Sequence, residues 1–328
     1  MRKQPPAFVF MKTESLNMEV GKLLGTGLPL MSPQPGGMNP VQPKHFVLPQ
    51  MGEEIEHRGH FYRIGKQLSA TGHFGVVFEC TDSWGNELVA KILLPKARTY
   101  EAVRDDWLRE LNNLIDLRNP FITHVFDAFE YQDTFYLIIE RCSFSLADLI
   151  AWPDTQGEVW LNPIARCVLQ AIHFIHSVGY VHKDIHPGNI LTRCVKGEMG
   201  ESNTVMTFKV SDLGISRLEP QIRPGNNTIL AKWIAPPEFL NPTEFGTVSR
   251  TVDIYHAGLV FLSLLLNRVP TFTEQEVLAG IPRQMAESLS SPYAPAVAKA
   301  LRRHTRDRTQ TAQDFWYDLK MAEAGKMP

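Results

Sequence analysis

His182-Lys183-Asp184-Ile185-His186-Pro187-Gly188-Asn189-Ile190-Leu191 sets an aspartate and an asparagine five residues apart, in a loop interrupted by Pro187 and Gly188. The loop follows a helical stripe, because Ile164, Val168, Ala171, Ile172 and Ile175 recur at helical spacing. A carboxylate so placed can orient a hydroxyl nucleophile, while an amide oxygen can hold a hard cation that neutralises phosphate charge. An Asx-turn loop is the plainer reading of the same residues. Downstream, Lys209-Val210-Ser211-Asp212-Leu213-Gly214 follows a strand-like run and presents a further carboxylate.

Upstream, Lys91 lies inside the apolar run Leu88-Val89-Ala90-Lys91-Ile92-Leu93. Burying an ammonium without compensation is costly, so this lysine should meet an anion or snorkel from an edge strand. Glu110 can supply the anion, read as lying on the polar side of an amphipathic helix that carries Trp107, Leu108, Leu111, Leu114 and Ile115. Ala70-Thr71-Gly72-His73-Phe74-Gly75-Val76-Val77 lies between two strands, where glycines let backbone N–H groups approach phosphate oxygens. Two glycines in such a place equally make a plain hairpin.

Short strand-like runs at Phe61–Ile64, Val76–Phe78, Leu88–Leu93, Ile122–Phe126 and Phe135–Ile139 predict a small sheet around that helix. After Cys142 the pattern turns helical, and Val252–Leu266 is apolar on nearly every face. The expected fold class is α+β and bilobal: a β-rich first lobe with one key helix and its hinge over residues 59–142, then a larger, mainly α-helical lobe over 143–328. Residues 1–58 carry clustered Pro and Gly without a sustained period, which predicts a disordered or loosely docked extension.

Taken in order, these segments resemble the protein kinase superfamily over roughly residues 60 to 320. The quoted loop is similar to H-R-D-x-x-x-x-N, and Asp212-Leu213-Gly214 to D-F-G. The resemblance implies transfer of the γ-phosphate of ATP, held with Mg²⁺, to a hydroxyl of a protein substrate, serine or threonine. Asp184 would then be the base, Lys91 paired with Glu110 would position the α- and β-phosphates, and Asn189 and Asp212 would hold Mg²⁺. Ala70, Gly72 and Gly75 would cover the phosphates, while Val77, Val89 and Leu191 enclose the adenine. The backbone of Glu140 and Cys142 would meet the adenine edge, so the side chains there need not matter. Val125, Leu114, Leu213 and His182 would form a column through both lobes. Pro236-Pro237-Glu238 resembles the A-P-E end of the activation segment, Arg308 the late arginine that pairs with Glu238, and Asp253 the aspartate that braces the catalytic loop.

Five departures qualify the resemblance. Ala70 replaces the first glycine of the nucleotide loop. Lys183 replaces an arginine whose bidentate fork commonly grips a phosphate, so activation-segment phosphorylation is not expected; the only hydroxyls between Gly214 and Glu238 are Ser216 and Thr228. His186, counted among the catalytic residues, stands where serine/threonine kinases carry a lysine on the γ-phosphate, and H-x-D-x-H-P-G-N is the form of aminoglycoside-type small-molecule phosphotransferases. Lys232-Trp233-Ile234-Ala235 resembles the K-W-x-A-P-E of tyrosine kinases, and Thr192–Thr207 reads as an extended hairpin tip. A small-molecule phosphotransferase is therefore the alternative reading. A pseudokinase scaffold ranks last, because Lys91, Asp184, Asn189 and Asp212 are all retained.

Composition narrows the partners. With 328 residues, 44% hydrophobic and 21% charged, the chain can bury a sizeable core, and its net charge of −2 offers no general attraction for nucleic acid or an anionic membrane. The cluster Arg302, Arg303, Arg306 and Arg308 reads as a solvated helix end. The cysteines at 80, 142, 167 and 194 include no C-x-x-C pair, which suggests neither zinc nor disulfides and a reducing, cytoplasmic setting. The longest apolar run, Ala257–Leu266, is about half a membrane span. The start of the chain lacks a secretory signal pattern, although specialised secretion would leave no such mark.

Overall fold

A two-residue turn with positive φ at both Arg58 (52°) and Gly59 (80°) starts the sheet, the geometry that matches strand twist in a tight hairpin. It joins β1 (Glu54–His57) to β2 (His60–Gln67). The computed structural model describes residues 46–68, 75–95, 98–196, 204–222 and 234–325. β3 (Gly75–Asp82), β4 (Glu87–Leu93), β5 (Val125–Tyr131) and β6 (Thr134–Glu140) complete an antiparallel sheet in the order β1-β2-β3-β4-β6-β5. The sheet curls until its two edges meet, and His57 Nδ1 and Tyr62 Oη both reach Asp127 Oδ2 at 2.9 Å.

The structured body starts earlier than residue 59. Besides β1, Val47 N–H donates to Thr134 Oγ1 at 3.0 Å and Val47 O accepts from the same hydroxyl at 3.0 Å, so this stretch is fastened to β6. Residues 1–45 lie outside the described residues.

Helix α1 (Tyr100–Asp116) starts at Thr99, whose hydroxyl accepts from Ala102 N–H. It buries Val103, Trp107, Leu111 and Leu114 against the sheet. The Trp107 indole donates to Tyr136 O at 3.0 Å, which fixes the helix over β6. Of the run expected at Ile122–Phe126, only its end enters β5. Ile122 instead makes a parallel bridge with Val210, and Thr123 N–H donates to Val210 O at 3.0 Å. A strand from the second lobe competes for these backbone groups, which local propensity cannot foresee.

Beyond Arg141–Ser143 come β7 (Phe144–Ser145), α2 (Leu146–Ala151), α3 (Gly157–Ser177) and β8 (Tyr180–Val181). A 3₁₀ turn at Pro187–Asn189 leads into β9 (Ile190–Lys196), which pairs with β10 (Thr204–Val210) and with β7; β11 (Arg217–Leu218) pairs with β8. The arms of the expected long hairpin are thus β9 and β10, and its tip, 197–203, lies outside the described residues. Then follow α4 (Pro237–Leu240), α5 (Pro242–Phe245), α6 (Thr251–Leu265), α7 (Glu274–Ala279), α8 (Ile281–Glu287), α9 (Ala294–Ala300) and α10 (Ala312–Glu323). Helix α6 is buried from Thr251 to Leu264 and is the post around which the second lobe packs. The fold is therefore α+β, a β-rich sheet with one packed helix followed by a helical lobe.

The arginine cluster is not a solvated helix end. Arg308 is buried, Arg303 donates to Leu278 O at 2.7 Å and lies over the Phe245 ring, and Arg302 donates to Asp307 O at 3.1 Å. Only Arg306 keeps a largely solvent-facing side chain. No helix among the described residues is long and apolar enough to cross a membrane.

Candidate active site

The loop after β8 is held from below by α6. Asp253 Oδ2 accepts from His182 N–H at 2.9 Å, and Oδ1 from Lys183 N–H at 2.8 Å; His176 Nε2 lies 2.8 Å from Oδ2. Burial alone would raise the pKa of Asp253, but the bond from His176 and the neighbouring His182 hold it below the usual carboxylate range. Lys183 takes a left-handed φ of 69°, a conformation that costs an L-residue energy unless its surroundings impose it. The two bonds that Asp253 accepts from His182 and Lys183 N–H fix the backbone entering that turn.

The loop then presents Asp184. Asn189 Nδ2 donates both to Asp184 O and to Asp184 Oδ2 at 3.0 Å, and His186 Nε2 lies 3.5 Å from Oδ1. Gly188 N–H donates to His186 Nδ1 at 3.1 Å, so in the neutral ring Nε2 carries the proton and faces the carboxylate. Burial pushes the His186 pKa down to about 4. Burial and the nearby Asp212 raise the Asp184 carboxyl to about 7, the range suited to a general base at neutral pH.

Lys91 reaches across from β4. Its Nζ lies 2.5 Å from Glu110 Oε1 on α1 and 3.1 Å from Asp212 Oδ1 after β10, joining three elements at one ammonium. Burial works against its charge, yet Asp212 and Glu110 outweigh that and keep it protonated. Glu110 is not on a polar face: it is only 3% exposed and shares the buried side of α1 with Trp107 and Leu114. A carboxylate there is tolerable only because Lys91 meets it. Asp212 takes a φ of 61° and stays partly open to solvent. Burial opposes its ionised form, but Lys91 holds its pKa below the usual carboxylate range.

Val77 pairs with Lys91, and Val89 lies two residues from it on the same strand face; both are half-buried, as is Leu191 on β9. Gly75 is required by strand proximity, since a Cβ there would lie 2.5 Å from Ile92 O. Ala70 and Gly72 lie outside the described residues, as do Thr228 and Lys232-Trp233. Leu114, Val125, His182 and Leu213 are all buried, and Asn113 Nδ2 donates to Leu213 O at 2.7 Å.

The linking segment holds a surprise in its side chains. Glu140 is buried, and its Oε1 accepts from Lys209 Nζ at 2.7 Å and from His124 N–H at 2.7 Å, while Arg193 lies 3.2 Å from Oε2. The segment that reaches Cys142 is therefore anchored to β9 and β10 through the Glu140 side chain, a structural part that a backbone contact with a ligand would not by itself require. The signal for Lys209 was present, a lysine between Phe208 and Val210 in an apolar strand; its partner, 69 residues away, was not legible.

Elsewhere, Arg308 donates through Nη1 and Nη2 to the two oxygens of Glu238 at 2.7 and 2.8 Å. Lys183 keeps company with Arg217 and Arg109, and burial plus these charges lower its pKa to about 8. Both arginines line a cavity of about 450 Å³ with Asn113, Tyr180 and Ser216.

The family model for the protein kinase domain matches residues 62–319, from β2 into α10. Cyclin-dependent kinase D-1 of Arabidopsis thaliana is 29% identical over 215 residues, covering 62% of this chain and 49% of its own length. Calcium-dependent protein kinase 21 of the same plant is 26% identical over 292 residues, covering 85% and 52% respectively. Cyclin-dependent kinase-like 4 of Mus musculus is 28% identical over 199 residues, covering 59% and 54%. The chain spans about half the length of these relatives. Since the domain match takes in most of the chain and both lobes of the fold, the protein belongs to the protein kinase domain family.

Proposed function

We propose that this chain transfers the γ-phosphate of ATP to a serine or threonine hydroxyl of a protein substrate. The observation that carries the reading is Lys91 Nζ held between Glu110 and Asp212, at 2.5 and 3.1 Å, with Asp184 and Asn189 on the adjoining loop. An ammonium so fixed on the half-buried face that also carries Val77 and Val89 is placed to meet nucleotide phosphates. Asp184, with its raised pKa, orients the acceptor hydroxyl and takes its proton. Asn189 commits its amide N–H₂ to Asp184 and so turns its oxygen to other use.

The residues present suit Mg²⁺. Asp212 is kept ionised, Asn189 offers a neutral amide oxygen, and the two are adjacent, because Ser211 N–H donates to Asn189 O at 2.9 Å. Both are the hard oxygen donors that this ion selects. Bound there, Mg²⁺ would neutralise phosphate charge as it builds on the leaving group.

The protein-acceptor reading is favoured over a small-molecule acceptor by the buried Glu238–Arg308 pair, which fixes the Ile234–Glu238 stretch against α6. The test is incubation of the purified chain with labelled ATP, generic protein acceptors and an aminoglycoside, beside Asp212→Ala and Asp184→Asn. Label on protein, lost in both variants while Asp184→Asn still binds ATP, is the expected result; label on the aminoglycoside alone, or normal turnover by Asp184→Asn, refutes it.

A further inference from the structure

Helix α6 holds two backbones with side chains three residues apart, and so on one face. Asp253 holds the catalytic loop through His182 and Lys183 N–H. One turn later, His256 Nε2 lies 3.2 Å from Ile234 O, in a fully buried contact. Ile234 opens the stretch that ends at Glu238, and Arg308 holds that end while also donating to Thr251 O at the start of α6. The stretch is thus tied to the helix at both ends.

The His256 ring is an odd choice for mere filling. It is completely buried, and its Nδ1 has no hydrogen-bond partner among the described residues. A buried polar atom left unbonded is a cost that an apolar side chain would avoid, so the ring is kept for its other nitrogen. Burial keeps the imidazole neutral, and a neutral ring facing a carbonyl through Nε2 carries its proton there. His256 is therefore an N–H donor aimed at the Ile234 carbonyl.

We propose that His256 is a positioning residue for the phosphate acceptor: its bond to Ile234 O sets the Ile234–Glu238 stretch, against which a protein acceptor would lie, in register with Asp184, using α6 as the common ruler. The inference rests on the protein-acceptor reading above. It concerns the acceptor side of the reaction alone, because the nucleotide-facing residues Lys91, Val77 and Val89 belong to the sheet. Small misplacements of reacting groups are costly, so loss of the bond should act on acceptor turnover by about tenfold or more.

The experiment compares the full chain with His256→Phe, which keeps a flat ring but no donor, and His256→Gln, which restores an N–H donor. Acceptor kcat and KM with dephosphorylated casein, KM for ATP and Tm are measured for each. The expected result is a fall of about tenfold or more in acceptor kcat/KM for His256→Phe, with KM for ATP and Tm close to the unmutated protein and recovery in His256→Gln. A His256→Phe protein that matches the unmutated one overturns the inference while leaving the proposed function intact. A fall in Tm and a rise in KM for ATP in step with the acceptor effect, or no recovery in His256→Gln, also overturns it. An unmutated chain that labels an aminoglycoside but no protein refutes the proposed function and this inference with it.

Discussion

Lys91 with Glu110 and Asp212, and Arg308 with Glu238, are both ion pairs buried in this protein, yet they are built differently. Around Arg308 everything is closed: both side chains are 0% exposed, the guanidinium meets both carboxylate oxygens, and it also donates to Arg302 O and Thr251 O. Its charge lies 4.8 Å from the Tyr255 ring centre. Around Lys91 one side is open, because Asp212 keeps 29% of its side chain exposed and sits on a strained turn. A closed pair has no capacity left for a ligand, so it serves registry between the Glu238 stretch and α6. An open pair holds charge ready for something that arrives.

Breaking each pair should therefore separate stability from activity. Arg308→Met strands the Glu238 carboxylate in the core and should cost about 3–5 kcal/mol in denaturant unfolding. Pairing it with Glu238→Leu should return most of that loss; a double variant as unstable as the single would show that packing, not the stranded charge, dominates. Lys91→Met removes the ammonium that the proposed reaction sets against the phosphates and should lower transfer by about a hundredfold to a thousandfold. Glu110 loses its partner, but burial already favours its protonated form, so Tm should fall by less than in Arg308→Met. An unfolding shift as large as that of Arg308→Met would erase the contrast.

A third ion pair lies between these extremes. Lys209→Met leaves Glu140 with Arg193 and His124 N–H, so it should cost about 1–3 kcal/mol and raise KM for ATP more than it lowers kcat. Equal effects on both constants would deny the linking segment its share in nucleotide placement. The smallest change is expected at His186→Lys. There an imidazole held neutral by burial gives way to a fixed charge, and activity should stay within about tenfold. Complete loss would assign the imidazole a specific role.

Much of the candidate site was legible in the chain because its parts are local. Asp184, His186 and Asn189 sit in one loop whose Pro and Gly already dictate a turn, and their mutual bonds span five residues or fewer. Lys91 announced itself by being a charge in an apolar strand. The assignment of Glu110 to a polar face failed because helical periodicity sorts residues by type, and a buried carboxylate looks polar until its partner is known. The packed stretch ahead of residue 59 was hidden for a similar reason: Glu54–His57 is only four residues long, and its value lies in pairing with β2 and in the reach of His57 to Asp127.

The amino-acid sequence by itself thus determined the order and spacing of the chemical groups, and with them the family and the α+β class. The tertiary structure alone decided which distant groups meet: Glu140 with Lys209, Ile122 with Val210, and His256 with Ile234. Turn and strand preferences are set by a residue and its near neighbours. A buried charge or an imidazole takes whichever partner the packed core brings within about 3 Å, a choice settled only when helices and strands close around it.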